Sequence, residues 1–299
     1  MRLSLLSDSR QKALGAAVLA NIIWATSFLA AKWGLGFIGP LTLAGLRYFL
    51  AALVLLPWML AGRNRTSLTR DDWWRLTVAG TTAYTAGMGG YYLALRHLPV
   101  TTVSFLSGLS PLVALLMNLP ARKELPSPIQ IVGLSLCLAG SFVFIRSGTM
   151  RMDGSGLVLA MVGLLAYTYS TVVSRDAMKA QAIDMMTWTT ATLGIGGGLL
   201  LMAALPLEGA PHFSFPAVAI VIVLTLLNTV CGYLLYNYAL REVTAFEMNT
   251  LFNLLPLATA GLATVFFGER HSSLEIAGMI MAMAGIMVAQ VRLTPRTQV

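Results

Sequence analysis

The chain has 299 residues, 57% of them hydrophobic and only 11% charged, with a formal net charge of +8 at pH 7. A soluble domain carries about a quarter charged residues, so a water-soluble fold is excluded and the apolar surface belongs in lipid.

The apolar residues come in blocks of the length that crosses a hydrocarbon core. Ten are predicted, at about 13–31, 38–61, 75–95, 100–120, 128–146, 155–174, 184–205, 216–240, 244–267 and 274–291. Tyr, Asn and Thr interrupt the third, eighth and ninth. Every connection is too short to hold a soluble domain. The expected architecture is an all-α integral membrane protein, one membrane domain over residues 1–299.

The first block follows Arg2, Arg10 and Lys12 and so has the outline of a signal peptide. It is too long and lacks a small-x-small cleavage site, and is read as a retained helix. It carries Asn21, Trp24, Thr26 and Ser27, more polar and aromatic side chains than lipid packing needs. Two roles fit them: lining a cavity, or tying helices together and marking an interfacial belt. In the second block Arg47 has apolar neighbours on both sides. A cation there is expensive, so it must face the bundle, a wet cavity or a snorkelling exit. Bonding to free carbonyls and contact with substrate are both open to it.

The third block carries Tyr84, Gly87, Met88 and Tyr91 on one helical face. The fourth has Pro111 near its middle, preceded by Ser104, Ser107 and Ser110. A proline there removes a backbone hydrogen bond and bends the helix, a candidate hinge. The fifth is strongly apolar and punctuated by Gly133, Ala139, Gly140 and Ser141, the composition of a close-packed strut. The sixth supplies Tyr167, Thr168, Tyr169 and Ser170. Gly196-Gly197-Gly198 in the seventh lacks the Lys and Ser/Thr of a phosphate loop.

From the eighth block onward the pattern returns. Residues 94–143 lie on 239–288 at a constant offset of 145, with fourteen of fifty pairs identical, among them Arg96/Arg241, Pro111/Pro256, Glu124/Glu269, Gly133/Gly278 and Gly140/Gly285. An unbroken register of Arg, Pro, Glu and Gly means internal duplication. At that offset the eighth block sets Asn228, Thr229, Gly232, Tyr233 and Tyr236 against the face of the third. The ninth block holds Asn249, Thr250 and Asn253 before Pro256, the second candidate hinge. Asn249 and Asn253 share a face and need partners from protein, water or substrate, so either a substrate cavity or interhelical bonding accounts for them. Glu247 fits a proton site or a helix N-terminus that favours a carboxylate. Gly278, Ala282, Ala284 and Gly285 repeat the strut pattern in the tenth block.

Each copy holds five blocks, an odd number, so the second enters the membrane from the opposite side, the inverted repeat of many secondary transporters. The expected arrangement is ten transmembrane helices in two inverted five-helix repeats, about 13–146 and 155–291, around a central cavity. With a cytoplasmic N-terminus, fourteen Lys and Arg fall inside and five outside, which places both termini in the cytoplasm. The net charge is therefore topology rather than a nucleic-acid footprint. Arg122, Lys123 and Glu124, and Glu269 and Arg270, form exposed loop groups suited to gate latches.

Catalysis and metal binding find no footing. His97, His212 and His271 lie in or beside outer loops, no HExxH or GxSxG occurs, and Cys137 and Cys231 sit inside predicted spans. No cofactor or metal is expected. The expected partners are a small-molecule substrate and the lipid bilayer, with no nucleic acid; a monomer fits. A channel would show rings of like charge or filter carbonyls, and neither is present.

Ile23-Trp24-Ala25-Thr26-Ser27-Phe28, Leu46-Arg47-Tyr48-Phe49, Tyr92 to Leu98, Pro111/Glu124 with Pro256/Gly268-Glu269, and the paired glycines resemble the drug/metabolite transporter superfamily, specifically EamA-type carriers. The resemblance covers essentially the whole chain. It implies a basket of ten spans with its cavity lined by the first, third, fourth, sixth, eighth and ninth. It also implies export of amino acids, related metabolites or lipophilic compounds across a bacterial inner membrane. The uncharged aromatic and polar residues favour an amino-acid exporter, similar to the aromatic amino acid exporters; the alternatives are an exporter of multiple drugs or lipophilic compounds and, in a different class, a passive membrane channel. The expected substrate residues are Trp24, Tyr84, Tyr91, Ser104, Ser107, Tyr167, Asn228, Tyr233, Asn249 and Asn253. The first span has no carboxylate, so the proton antiport of the small four-helix multidrug members does not carry over.

Overall fold

A computed structural model describes residues 8–61, 68–122, 127–147, 153–179, 183–211, 213–239, 242–243, 248 and 251–290, without the side chains of 8, 118–122 and 175–179. The described chain is helical, with no strand among those residues. Helices α1 (Asp8–Gly34) and α2 (Pro40–Ala61) are followed by α3 (Arg70–Gly80), which runs through a π-helical turn, π1 (Thr81–Met88), into α4 (Gly89–Ala94). Then come α5 (Val100–Gly108), α6 (Ser110–Arg122), α7 (Pro128–Ser147), α8 (Gly154–Lys179) and α9 (Met185–Glu208). The helix α10 (Phe215–Ile222) passes through π2 (Val223–Cys231) into α11 (Gly232–Ala239), and α12 (Leu255–Phe267) and α13 (Ser273–Gln290) complete the chain.

Among the described residues eight helices are long and apolar enough to cross a membrane. The two other expected blocks differ for separate reasons. The third is continuous helix, but the Thr- and Gly-rich π1 dilutes its apolar character. Of the ninth, only the shorter Leu255–Phe267 is described as an apolar helix.

Local chemistry sets the boundaries. Thr69 and Asp72 form a reciprocal capping box that starts α3, and Asp184 accepts from the amides of Met186 and Thr187 to start α9. The fourth block is broken at Leu109, so that Pro111 sits in the first turn of α6, where its missing N–H costs nothing. Pro256 sits likewise in the first turn of α12, after a turn at Asn253 and Leu254. The prolines therefore restart helices rather than kink continuous ones. In both π turns a glycine amide reaches back five residues, Gly89 to the Tyr84 carbonyl and Gly232 to that of Leu227.

Several helix pairs meet through glycine among the described residues, including α7 with α13 and α2 with α9. A Cβ on Gly140 would strike the backbone of Gly278 and Ala282, and one on Gly133 that of Gly285 and Ala289. The numbering rises on α7 as it falls on α13, so the two cross antiparallel, backbone on backbone. The pair α2 and α9 does the same, with Gly45 on Leu201, Gly197 on Phe49 and Gly194 facing Ala52. One end of the bundle gathers the end of α1, the starts of α2 and α5, and the ends of α9 and α12, where Lys32 donates to the carbonyls of Leu95 and Leu98. At the other end Ala13, Ala16 and Ala17 of α1 pack on Ala239, Val243 and Met248.

Candidate functional site

The polar interior is built around α1, α2, π1, π2 and α11. Trp24 donates its indole N–H to the Asn228 carbonyl at 2.9 Å, and its ring lies against Gly232, where any Cβ would come within 2.5 Å of Nε1. At Gly87 the backbone of α8 comes close, since a Cβ there would stand 3.1 Å from the Tyr167 Cβ and 3.2 Å from its Cα. The aromatic side chain from α1 thus fills the space that Gly232 leaves on α11. Around Trp24 stand Tyr233, Tyr236 and Phe252, with ring centroids 5.6, 5.6 and 5.1 Å away. The hydroxyls of Tyr84 and Tyr233 are 3.0 Å apart, and the Tyr84 ring lies 4.8 Å from that of Tyr48.

Arg47 is buried beside this cluster. Its Nε donates to Thr229 Oγ1 at 2.8 Å, and its Nη1 to Ser27 Oγ at 2.6 Å and to the Tyr92 hydroxyl at 3.0 Å. Its guanidinium carbon lies 4.9 Å from the centroid of the Tyr48 ring. Thr229 turns its own proton to the Leu224 carbonyl at 2.8 Å, five residues back, a bond the π turn makes available. Asn228 is committed to α1: its amide donates to the Ile23 carbonyl at 2.5 Å and to Thr26 Oγ1 at 3.1 Å.

At the end of the bundle that holds Lys32, carboxylates reach across to helix N-termini. Gly268 adopts φ 66°, a left-handed turn that suits a residue without a side chain, and ends α12 there. Glu269, which follows it, accepts from the amide of Val100 at 2.7 Å and from the hydroxyl of Thr101 at 2.7 Å. Glu208 treats α2 the same way, through the amides of Leu41 at 2.8 Å and Thr42 at 2.9 Å. Glu269 is buried, which corrects the expectation of an exposed loop pair: the α5 N-terminus supplies the partners that let a carboxylate leave water. In the neighbouring loop Asp153 pairs with His97 at 2.8 Å. The Ser155 hydroxyl and amide, and then His97, hold the Asp153 carboxyl below the usual carboxylate range.

The sequence pattern of the EamA-like transporter family matches this chain twice in succession, at residues 11–146 and 154–290. The protein belongs to the EamA-like transporter family. An uncharacterized transporter of Archaeoglobus fulgidus is 28% identical, over 90% of this chain and 93% of that one. A Salmonella typhimurium protein named "Probable amino-acid metabolite efflux pump" is 22% identical, over 91% of this chain and 92% of that one. A crystal structure with 18% identity shares the fold at a TM-score of 0.65, covering 94% of this chain and 96% of that one.

Within this EamA-like chain the expected site residues fall into three groups. Trp24, Tyr84, Asn228 and Tyr233 come together, with the Tyr167 Cα and Cβ close to Gly87. Tyr91, Ser104 and Asn253 are buried, and the Tyr91 hydroxyl, Ser104 Oγ and Asn253 Nδ2 have no hydrogen-bond partner among the described residues. Ser107 bonds back to the Ser104 carbonyl of its own helix at 2.7 Å. Asn249 lies outside the described residues. Pro256 abuts the place where a Cβ on Gly108 would stand, at 2.8 Å. Tyr48, Tyr92 and Phe252 are further members of the cluster. Tyr48 and Tyr92 stand in the motifs that carry the family resemblance but are not among the expected site residues, and Phe252 has no signal beyond being aromatic.

Proposed function

We propose that this protein is a secondary carrier that exports small metabolites, amino acids or their derivatives, by alternating access. In this reading residues of about 13–146 and 155–291 are inverted five-helix copies in a single membrane domain, and both termini are cytoplasmic at a bacterial inner membrane. The antiparallel meeting of α7 with α13 and of α2 with α9 supports the inversion, since each pair joins corresponding members of the two copies. One observation carries the transport reading: the polar and aromatic residues of the interior, Trp24, Tyr84, Asn228 and Tyr233, come from both family segments and meet each other across them. A site shared between two bodies is a site that their relative motion opens and closes.

The name of the Salmonella relative supports amino-acid metabolites as the substrate class. The box of Trp24, Tyr233, Tyr236 and Phe252 also suits lipophilic compounds, which is the second reading. Purified protein in liposomes loaded with labelled amino acids distinguishes these. Saturable counterflow is the expected result; non-saturating leakage indicates a channel, and saturable exchange of lipophilic compounds alone indicates multidrug export.

A further inference from the structure

We propose that Arg47 is the anchor for the carboxylate of the transported molecule, and that the substrate class is therefore carboxylated. The inference rests on the carrier reading. Arg47 is 7% exposed and lies about two helical turns into a candidate span, where an uncompensated cation is costly. Its partners Ser27, Tyr92 and Thr229, and the Asn228 carbonyl, are all neutral, and among the described residues no carboxylate forms an ion pair with it. Hydrogen bonds satisfy its geometry and leave its charge intact.

The partners are also unevenly placed. Nε and Nη1 make bonds of 2.6–3.0 Å, whereas among the described residues the two N–H groups of Nη2 share one long contact of 3.5 Å to the Asn228 carbonyl. One edge of the fork is held, the Tyr48 ring supports the group, and the Nη2 edge retains donor capacity. A guanidinium fixed in this way is preorganised for a carboxylate. It adjoins the substrate cluster directly, since Tyr48 touches Tyr84 and the Asn228 carbonyl serves both Trp24 and Arg47.

The duplication gives an internal control. The second copy's counterpart of α2 is α9, which carries no Lys or Arg between Met185 and Glu208 and buries Thr192 along its length. The Thr192 hydroxyl returns to the Trp188 carbonyl of its own helix at 2.8 Å, and α9 packs there without a cation. Helix packing alone does not call for Arg47.

The test uses the full chain, purified in detergent and in liposomes, with a panel of L-amino acids and the matching L-amino acid amides. Binding is read as thermal stabilisation and transport as counterflow. The expected wild-type result is that at least one amino acid binds and exchanges about 10- to 100-fold better than its amide, the value of a charge-assisted hydrogen-bonded contact. Arg47→Gln brings that ratio near unity, while Arg47→Lys keeps a carboxylate preference at reduced affinity. Should the Gln variant not fold, the ratio in the Lys variant decides. Amides handled as well as acids by the wild type overturn the proposal. So does an equal loss of both probe types in the Gln variant, or a Lys variant without preference. Carboxylate-selective binding without counterflow leaves the anchor standing and sinks the carrier reading. Counterflow indifferent to the carboxylate does the reverse, and no response to any probe rejects both.

Discussion

The hydroxyl of Tyr84 lies 3.0 Å from that of Tyr233, so this bond between neutral groups is one of those that join the first family segment to the second. Such a bond is worth about 1 kcal/mol net. If it is the shared link, Tyr84→Phe and Tyr233→Phe each lower thermal stability slightly, and the double variant loses no more than either single one. A double-mutant cycle from thermal unfolding in detergent is expected to give a coupling of about 1 kcal/mol. Costs that simply add would show two hydroxyls acting on other partners. The same variants are expected to slow counterflow.

Gly232 exists to receive Trp24. A methyl group there would meet the indole at 2.5 Å, so Gly232→Ala forces the ring off the Asn228 carbonyl. The expected cost is about 1–3 kcal/mol of overpacking, with reduced counterflow. Gly261→Ala is the control: it lies in α12, nothing stands within 4 Å of its Cβ position, and helix propensity alone gives a gain of up to about 1 kcal/mol. Thermal unfolding of both variants against wild type checks the contrast.

Arg47 and the glycines show how far the chain could be read without coordinates. Apolar blocks and charge placement reveal helices because lipid imposes them on composition. The offset of 145 pointed to Gly133, Gly140, Gly278 and Gly285, and these are the residues that meet, since only a missing side chain lets two backbones touch. Trp24, Tyr84 and Tyr233 were legible because polar aromatics are wasteful against lipid. The partners of Arg47 were not, for Ser27, Tyr92 and Thr229 reach it from three separate elements. Burial of Glu269 was equally hidden, because its partner is the free N-terminus of α5, whose place beside α12 no local pattern encodes.

The crossing of α7 and α13 predicts equal sensitivity at corresponding positions. Gly133 and Gly278 each face backbone atoms of the other helix, which cannot swing aside as a side chain can. Gly133→Ala and Gly278→Ala are expected to lower stability by similar amounts, about 1–3 kcal/mol each, read as similar drops in melting temperature. A large effect at one and none at the other would break the equivalence.

Asn253 separates a helix tie from a contact with something carried. It is 2% exposed, and its Nδ2 finds no partner among the described residues. A tie of that kind would cost about 1–3 kcal/mol on removal. With no partner for Nδ2 among the described residues, Asn253→Ala is expected to cost less than such a tie would and to impair counterflow. Reduced stability with normal counterflow would assign the residue to helix packing and strike it from the site.

Glu269 and Glu208 make the last comparison. Each carboxylate accepts from two backbone amides at the start of a distant helix, and from a threonine hydroxyl at 2.7 Å. Glutamine keeps the shape, loses the charge and turns an N–H₂ towards a ring of donors. Glu269→Gln is expected to cost about 1–2 kcal/mol, the range for a helix cap that also complements the N-terminal dipole. Glu208→Gln should cost less, because Glu208 is only half-buried and water can replace part of what is lost. Melting temperatures at pH 7 order the two variants. The reverse order would mean that Glu269 makes its bonds at no net gain, the desolvation of a buried carboxylate having offset them.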